Sequence, residues 1–285
     1  MAIEFLHVNK SFGTNHIIKD FSFNIDSGKI TYMLGPNGCG KTTLINLMLG
    51  LLENNSGSIL YDGKPIAAVR DRIAIVFDEP PVYPNLSGYD NLILLSQRMK
   101  RDSKDDSLFK ILNLDKRLLG KKAKTLSLGQ RHRLAIAAAI LREPSYLILD
   151  EPAIGLDSES WDCVKGLLIE LGQQGKTVMV TGHNYDLMEN FVDNIIIISN
   201  AAVIYNDTLS NLKKGFKSEV VIKTSCDKIE EYGFEKTSVN EFSKNYINDA
   251  DFESELIQMQ KKGIIIENVT TKRKNLKEMY VDLIK

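Results

Sequence analysis

Nine consecutive residues, Gly35–Thr43, have the pattern G-x-x-x-x-G-K-[ST], which binds phosphate groups. A strand-like run, Ile30–Leu34, precedes them, and a helix-like run, Thr43–Leu49, follows. The glycines let successive backbone N–H groups turn towards phosphate oxygens, and the helix adds the positive end of its dipole. We expect Lys41 to reach the β- and γ-phosphates and the Thr42 hydroxyl to ligate Mg²⁺. The predicted nucleotide-contacting residues of this loop are Gly35, Pro36, Asn37, Gly38, Cys39, Gly40, Lys41, Thr42 and Thr43.

Length and composition limit the class of protein. The chain has 285 residues, 43% hydrophobic and 26% charged, which is typical of one or two soluble globular domains. Its net charge of −1 gives no overall attraction to nucleic acid or to anionic lipid. The apolar runs, Ile195–Ile198 among them, are too short to span a bilayer, and residues 1–4 do not resemble a signal peptide. The three cysteines are scattered without metal-ligand spacing, so we expect a reduced, cytosolic environment.

Strands and helices alternate around the phosphate-binding loop, which predicts an α/β core with a largely parallel sheet. Partial alternation in residues 3–8 and 18–25 predicts antiparallel strands before the loop, and an Asp-Gly turn closes a short strand in Ser56–Lys64. Further strands are predicted at Ile73–Phe77, Tyr146–Asp150, Thr177–Thr181, Ile195–Ser199 and Ala202–Tyr205, and helices at 128–141 and 158–173.

Two regions differ from this core in their residue pattern. Prolines 80, 81 and 84 are followed by helical spacing from Tyr89 to about Met99 and through Ser107–Leu114, so residues 85–142 are predicted to form a helical insert. We expect a nucleotide-binding domain over residues 1–212 and a small α/β domain over 213–285. The elements predicted in this tail are strands at Glu219–Lys223 and Gly263–Glu267 and helices at Asp251–Lys261 and Lys272–Lys285.

A second anion site is predicted at Leu126–Gln130, just before a helix. A serine hydroxyl, a glycine and a helix N-terminus can together bind phosphate, although Ser127 could equally serve only as a helix cap. The stretch resembles the L-S-G-G-Q signature of the ATP-binding cassette (ABC) ATPases, with Leu128 in place of a glycine. The resemblance implies that Ser127, Gly129 and Gln130 contact nucleotide.

Further motifs of that family follow in the same order. Asp150 and Glu151 end an apolar strand, and they match Walker B, in which the aspartate holds Mg²⁺ and the glutamate is the general base. Gly155–Asp157 resembles the D-loop, whose Asp157 is expected near the nucleotide of a dimer. His183 matches the switch histidine that contacts the γ-phosphate and orients water.

Two positions test how far the resemblance extends. Phe12 occupies the A-loop position, where an aromatic ring stacks on adenine. Asp78 stands where the family has a glutamine, and the stretch from Asp78 to Gly88 resembles the acidic version found in some exporters of peptide antibiotics and drugs. Asp78 is therefore a candidate metal ligand. The nearby surface of Tyr83–Leu86 and the helical insert are expected to contact a membrane partner.

The resemblance covers residues 3 to about 212. It implies a P-loop NTPase (RecA-like) core with an antiparallel β subdomain, and ATP and Mg²⁺ as cofactors. It also implies a head-to-tail dimer with a second copy or a homologous subunit, driving a separate polytopic permease at the cytoplasmic face of the cell membrane, in the direction of export. The alternative is an ABC ATPase that acts on a protein or nucleic-acid complex, although long heptad inserts and a second cassette are absent from the sequence and neutral charge disfavours nucleic acid. A P-loop kinase or GTPase is disfavoured because it would lack the signature motif.

Overall fold

The computed structural model describes residues 2–98, 105–185, 191–247 and 249–284. The chain divides into two compact units, Met1–Asn206 and Asp207–Lys285. The boundary expected from the sequence, between residues 212 and 213, lies inside a short helix that the structure groups with the second unit. Each unit has its own hydrophobic core.

The first unit contains ten strands and six helices among its described residues. The strands are β1 (Ile3–Phe12), β2 (Asn15–Ile25), β3 (Ile30–Leu34), β4 (Ser56–Tyr61), β5 (Lys64–Pro65), β6 (Ile73–Val76), β7 (Tyr146–Asp150), β8 (Thr177–Gly182), β9 (Asn194–Ser199) and β10 (Ala202–Thr208). The helices are α1 (Lys41–Met48), α2 (Gly88–Ser96), α3 (Asp105–Ile111), α4 (Lys116–Leu119), α5 (Leu128–Leu141) and α6 (Ser158–Gln173). Short 3-10 turns lie at Ile66–Ala68, Arg70–Arg72 and Ala123–Thr125.

The main sheet has the strand order β10-β9-β3-β8-β7-β6. Strands β9, β3, β8, β7 and β6 pair in parallel. Leu34 pairs with Gly182, and Asp150 pairs with Thr181, so β3, β8 and β7 end at nearly the same level. Because the carboxyl ends of parallel strands meet at one edge, the loops after these strands lie side by side.

A second sheet, β2-β1-β4-β5, is antiparallel and covers the nucleotide-loop helix. Phe5 stacks on Phe23 with ring centroids 4.2 Å apart, and both belong to one buried cluster that includes Leu44 of α1 and Ile196 of β9. This core holds α1 between the two sheets. The parallel α/β core and the antiparallel subdomain are therefore as predicted.

The region between β6 and β7 is helical, as expected. Helix α2 packs on α5 and α4, and α3 packs on α5. The first helix, α2, ends at Ser96, and the end predicted near Met99 lies outside the described residues. Helix α5 spans 128–141 and α6 spans 158–173, the bounds predicted from the sequence.

The second unit is a small α/β unit with a four-stranded sheet of order β12-β13-β11-β14. Its elements are α7 (Leu209–Lys214), β11 (Ser218–Lys223), a 3-10 helix (Asp227–Tyr232), β12 (Glu235–Ser238), β13 (Glu241–Tyr246), α8 (Asp249–Lys261), β14 (Asn268–Lys272) and α9 (Leu276–Leu283). The hairpin of β12 and β13 was not predicted, since its β12 residues are polar and all exposed.

The prediction of a strand at Gly263–Glu267 is wrong, because the strand of this region is β14, which begins only after this segment, at Asn268. Ile264 is buried in the core, whereas Ile265 is 76% exposed. The Thr224 hydroxyl donates to the Ile265 carbonyl at 2.7 Å, which holds this segment as a loop beside β11. Lys272, predicted to begin the last helix, ends β14 instead.

Candidate nucleotide site

The phosphate-binding loop joins β3 to α1 at the common strand edge. Its residues Pro36, Asn37 and Gly38 are exposed, and α1 begins at Lys41. Gly40 has φ 106°, a left-handed conformation that strains other residues, and it is the N-cap of α1 without a side-chain cap. The first N–H groups of α1 therefore have no side-chain partner at their N-cap, and they can bind an anion.

Lys41 lies across this loop and faces a carboxylate. Its side chain is only 6% exposed, and its ammonium donates to the carbonyl of Gly35 at 2.8 Å and to that of Pro36 at 3.3 Å. The Lys41 Nζ is also 3.7 Å from Oε1 of Glu151. The positive charge predicted for the phosphates is thus already in place, partly neutralised by Glu151.

Glu151 and His183 meet at the ends of β7 and β8. The His183 Nδ1 lies 2.7 Å from Oε2 of Glu151, whose side chain is 13% exposed. Glu151 has φ 49°, an unfavourable conformation for a residue with a side chain, and its N–H donates to the Thr181 carbonyl at 3.2 Å. The pairing of β7 with β8 thus holds the carboxylate towards the imidazole. A base with an orienting partner is the arrangement that activates water.

Asp150 lies one residue before Glu151 and is almost fully buried. The Thr181 hydroxyl donates a short hydrogen bond to its Oδ1. Burial raises the pKa of the Asp150 carboxyl above its usual value, and the negative charges of Asp78 and Glu151 add to that rise. The hydrogen bond from Thr181 and the charge of Lys41 act in the opposite direction.

Such a concentration of carboxylates fits a divalent cation. Oxygen ligands are the ones that Mg²⁺ prefers, and a cation would offset the repulsion that raises the pKa of Asp150. Asp78 is exposed and accepts a hydrogen bond from the N–H of Glu79 at 2.9 Å. Thr42 is exposed in the first turn of α1. Asp150, Thr42 and Asp78 are therefore suitable ligands in type, and the described residues contain no cluster of three or more His, Cys, Asp or Glu with metal-site geometry.

The predicted signature lies at the N-terminus of α5. Ser127 and Gln130 form a capping box: the Ser127 Oγ accepts from the Gln130 N–H at 3.2 Å, and the Gln130 Oε1 accepts from the Ser127 N–H at 3.0 Å. Gly129 is buried against Gly155, so close that a Cβ on Gly129 would lie 2.1 Å from the Gly155 carbonyl oxygen. Only glycine fits this approach between the signature and the predicted D-loop.

Asp157 follows that contact as the N-cap of α6. Its Oδ1 accepts from the Ser160 N–H at 2.8 Å. Hydrogen bonds from Ser160 hold the pKa of the Asp157 carboxyl below its usual value. Asp157 and Ser127 are both exposed. Among the described residues of a single chain, no hydrogen bond or ion pair joins Ser127 to the phosphate-binding loop.

Phe12 lies outside the phosphate-binding loop, whereas Cys39 lies within it. The Phe12 ring is 51% exposed at the end of β1, with Lys10 Nζ 5.1 Å from its centroid. An exposed ring on the same domain is available for stacking. Burial raises the pKa of the Cys39 thiol, which the charge of Lys41 only partly offsets, so the thiol stays neutral near pH 7.

Two residues near the site carry no motif that would have identified them. His132 on α5 is fully buried, and neither of its ring nitrogens has a hydrogen-bond partner among the described residues. Burial lowers its pKa, whereas the neighbouring Asp78 acts in the opposite direction. Tyr32 of β3 is also fully buried, and it donates from its hydroxyl to the Asn184 carbonyl at 3.0 Å. The proximity of His132 to Asp78 and the bond from Tyr32 to Asn184 both arise from packing between distant segments.

A phosphate-binding loop on a parallel sheet, with an acidic strand end and an adjacent histidine, defines a P-loop nucleotide-binding cassette. The family model of the ABC transporter matches residues 18–154. The lantibiotic transport ATP-binding protein SrtF of Streptococcus pyogenes is 31% identical over 228 residues, covering 76% of this chain and 96% of its own length. The energy-coupling factor transporter ATP-binding protein EcfA2 of Clostridium perfringens is 34% identical over 239 residues, covering 78% and 81%.

A solved structure gives the same result. The ATP-binding cassette MJ0796, in a dimeric post-hydrolysis state bound to ADP and Pi, has a TM-score of 0.65 and 26% identity, covering 73% of this chain and 98% of its own. The chain belongs to the ABC transporter family. It is an ABC ATPase, the ATP-binding and ATP-hydrolysing type of subunit in that family. Within the part that the structure describes, no helix combines the length and the apolar character needed to cross a bilayer.

Proposed function

We propose that two copies of this chain, or one copy and a homologous subunit, dimerise head to tail around two ATP molecules. Each ATP lies between Gly35–Thr43 of one subunit and Ser127–Gly129 of the other. The exposed Ser127 caps α5 and, among the described residues, has no hydrogen bond to the phosphate-binding loop of its own chain, which supports this arrangement. The dimeric form of the similar cassette MJ0796 also favours it.

The catalytic roles follow from the chemistry of each group. Lys41 and the N-terminus of α1 bind the β- and γ-phosphates, and Phe12 stacks on the base. Thr42, Asp150 and Asp78 would hold Mg²⁺, which would supply positive charge to neutralise the phosphates. Glu151 accepts a proton from the attacking water, and His183 orients that water and the γ-phosphate. The 2.7 Å contact between His183 Nδ1 and Glu151 Oε2 is the observation that carries this assignment.

ATP must move the Lys41 ammonium from its present partners. It now donates to loop carbonyls and lies 3.7 Å from Glu151. When the γ-phosphate arrives, its charge competes for Lys41 and releases Glu151 to face water. Ser127, Gly129, Gln130 and Asp157 of the partner subunit close the site, and loss of the γ-phosphate reopens it.

The work is done on a separate membrane permease, in the direction of export. The acidic stretch at Asp78 and Glu79 and the likeness to a lantibiotic transport protein support this direction. Exposed Tyr83 and Leu86, with Ile93 of the helical insert, offer an apolar surface to a cytoplasmic helix of the permease. The chain is then held at the cytoplasmic face of the cell membrane, without a role in nucleic-acid binding. Purification from detergent-solubilised membranes should yield a polytopic protein, and recovery of none contradicts this proposal.

Glu151→Gln tests the catalytic assignment. The amide keeps the size of the side chain but cannot accept the proton, so ATP binds and the closed dimer persists while turnover falls by at least about a hundredfold. ATPase assays and size-exclusion chromatography with ATP measure both effects. The matched control is Glu170→Gln on the exposed face of α6, where the Glu170 carboxylate accepts from the Gln174 amide, and it leaves turnover unchanged. Near-normal turnover by Glu151→Gln would overturn the assignment of the base.

A further inference from the structure

Tyr32 is a buried residue that contacts the segment carrying His183. It lies on β3, where it pairs with Val180 of β8. Its hydroxyl donates to the Asn184 carbonyl at 3.0 Å. Tyr32 also lines a cavity of ≈ 160 Å³ together with Glu151, Thr181 and His183.

Gly182 leaves the space that this ring occupies. A Cβ built on Gly182 would lie 2.6 Å from the Tyr32 hydroxyl oxygen and 3.2 Å from its Cε2. Since real side chains essentially never approach this closely, the position of the Tyr32 ring requires glycine at residue 182. The residues on both sides of His183 are therefore in contact with one buried ring.

The Tyr32 hydroxyl is a permanent donor. Burial raises its pKa well above the usual value for tyrosine, and the nearby charge of Glu151 raises it further. The group thus remains protonated at any pH at which the enzyme works, and its proton stays directed at the Asn184 carbonyl. The bond fixes the backbone immediately after His183, whose Nδ1 must reach Glu151 at 2.7 Å.

We infer that Tyr32 is a positioning residue for the ATPase reaction: its hydroxyl and ring fix Gly182 and Asn184, and thereby set the imidazole of His183 against the carboxylate of Glu151. The inference rests on the proposed role of His183. It assigns a function to a core residue of β3 that belongs to none of the nucleotide-binding motifs.

Tyr32→Phe removes the hydroxyl and keeps the ring. We expect kcat to fall about three- to tenfold, the range for one lost hydrogen bond, while KM for ATP changes less than twofold because Lys41 and its loop are untouched. Tyr61→Phe is the matched control, since the Tyr61 hydroxyl is also buried and donates to the Met48 carbonyl at 2.7 Å. It should lower the melting temperature similarly and leave kcat unchanged.

Two further readouts separate positioning from simple packing. The chain has four histidines, so the Cε1–H resonance of His183 can be assigned by its loss in His183→Ala. Tyr32→Phe should shift that resonance in the nucleotide-free protein, and Tyr61→Phe should not. Gly182→Ala should lower kcat strongly with Tyr32 present and less in the Tyr32→Phe background, where the closest clash is gone.

The outcomes distinguish the proposed role of His183 from the inferred role of Tyr32. If His183→Ala leaves kcat unchanged, the proposed role of His183 fails, even when Tyr32→Phe moves the neighbouring resonances. If His183→Ala lowers kcat but Tyr32→Phe changes neither kcat nor the His183 resonance, the inference about Tyr32 is overturned. Additive effects of Gly182→Ala and Tyr32→Phe would also overturn it.

Discussion

At the scale of single residues, the site keeps a carboxylate where the folded chain alone disfavours it. The pKa of Asp150 is raised by burial and by neighbouring acids, so its ionised form opposes folding above that pKa. The group favours folding most at low pH, and this contribution is lost as pH rises through the raised pKa. A cation that binds the ionised carboxylate would offset its destabilising effect on the fold. A residue required for function can therefore lower the stability of the protein when no ligand is bound.

Asp150→Asn should therefore stabilise the protein while it destroys activity. The amide oxygen can still accept from Thr181, and the buried charge is gone. Without Mg²⁺ or nucleotide, the variant should melt higher than the native chain at pH 7, with a difference that shrinks as the pH falls and the Asp150 carboxyl becomes protonated. Mg²⁺-dependent turnover should fall at least about a hundredfold, because metal charge stabilisation is worth several kcal/mol.

Asp207→Asn is the control of opposite sign for Asp150→Asn. Hydrogen bonds from Thr208 and Asn211 hold the pKa of Asp207 below its usual value, so its stabilisation is present at neutral pH and lost in acid. The control should not raise the melting temperature, and turnover should stay unchanged. A lower melting temperature for Asp150→Asn than for the native chain at pH 7 contradicts the electrostatic argument.

At the scale of elements, one serine serves both a helix and a proposed site. Ser127→Ala removes the N-cap of α5 and costs about 1 kcal/mol of stability. Ser87→Ala removes a similar capping box at α2, where the Ser87 Oγ accepts from the Asp90 N–H at 3.1 Å, and should cost about the same. Only Ser127→Ala should lower kcat, on the order of tenfold or more, because it also removes the phosphate contact proposed for the dimer. Denaturant melts and ATPase assays compare the two, and equal kcat values would reduce Ser127 to a cap.

The same caps explain which elements the sequence predicts well. Ser127 and Asp157 are capping residues directly before apolar helical periodicity, and the starts of α5 and α6 follow from them. The isoleucines at 264–266 mislead, since an apolar run by itself favours a strand. The Thr224 bond to Ile265, across 41 residues, helps to hold the run as a loop. Sequence pattern therefore predicts well the elements whose ends are set by neighbouring residues, such as helix caps, and less well those set by contacts with distant residues.

Site residues divide in the same way. Lys41, Asp150, Glu151 and His183 belong to motifs whose spacing is readable, and the parallel pairing of β3, β8 and β7 brings them together. Tyr32 has no motif, because its contact with Asn184 spans 152 residues and depends on the absent Cβ of Gly182. Contacts of this kind follow from packing that no spacing rule encodes.

At the scale of the whole molecule, all predicted site residues lie in the first unit, and each unit has a separate core. Val220, Phe242 and Met259 are among the buried residues of the second core, and none of them belongs to the first. A fragment ending at Thr208 keeps β10 whole. It should fold, bind ATP and retain basal turnover within about threefold, because a unit with its own core can fold alone.

Circular dichroism melts and nucleotide titrations test that fragment. A cooperative melt with native ATP affinity and turnover is the expected result, and Glu151→Gln within the fragment should abolish the turnover. A fragment that melts cooperatively yet binds no ATP would show that the second unit contributes to the site. Unchanged basal activity would instead assign residues 209–285 to another task, such as control of the partner, since the chemistry would be complete without them.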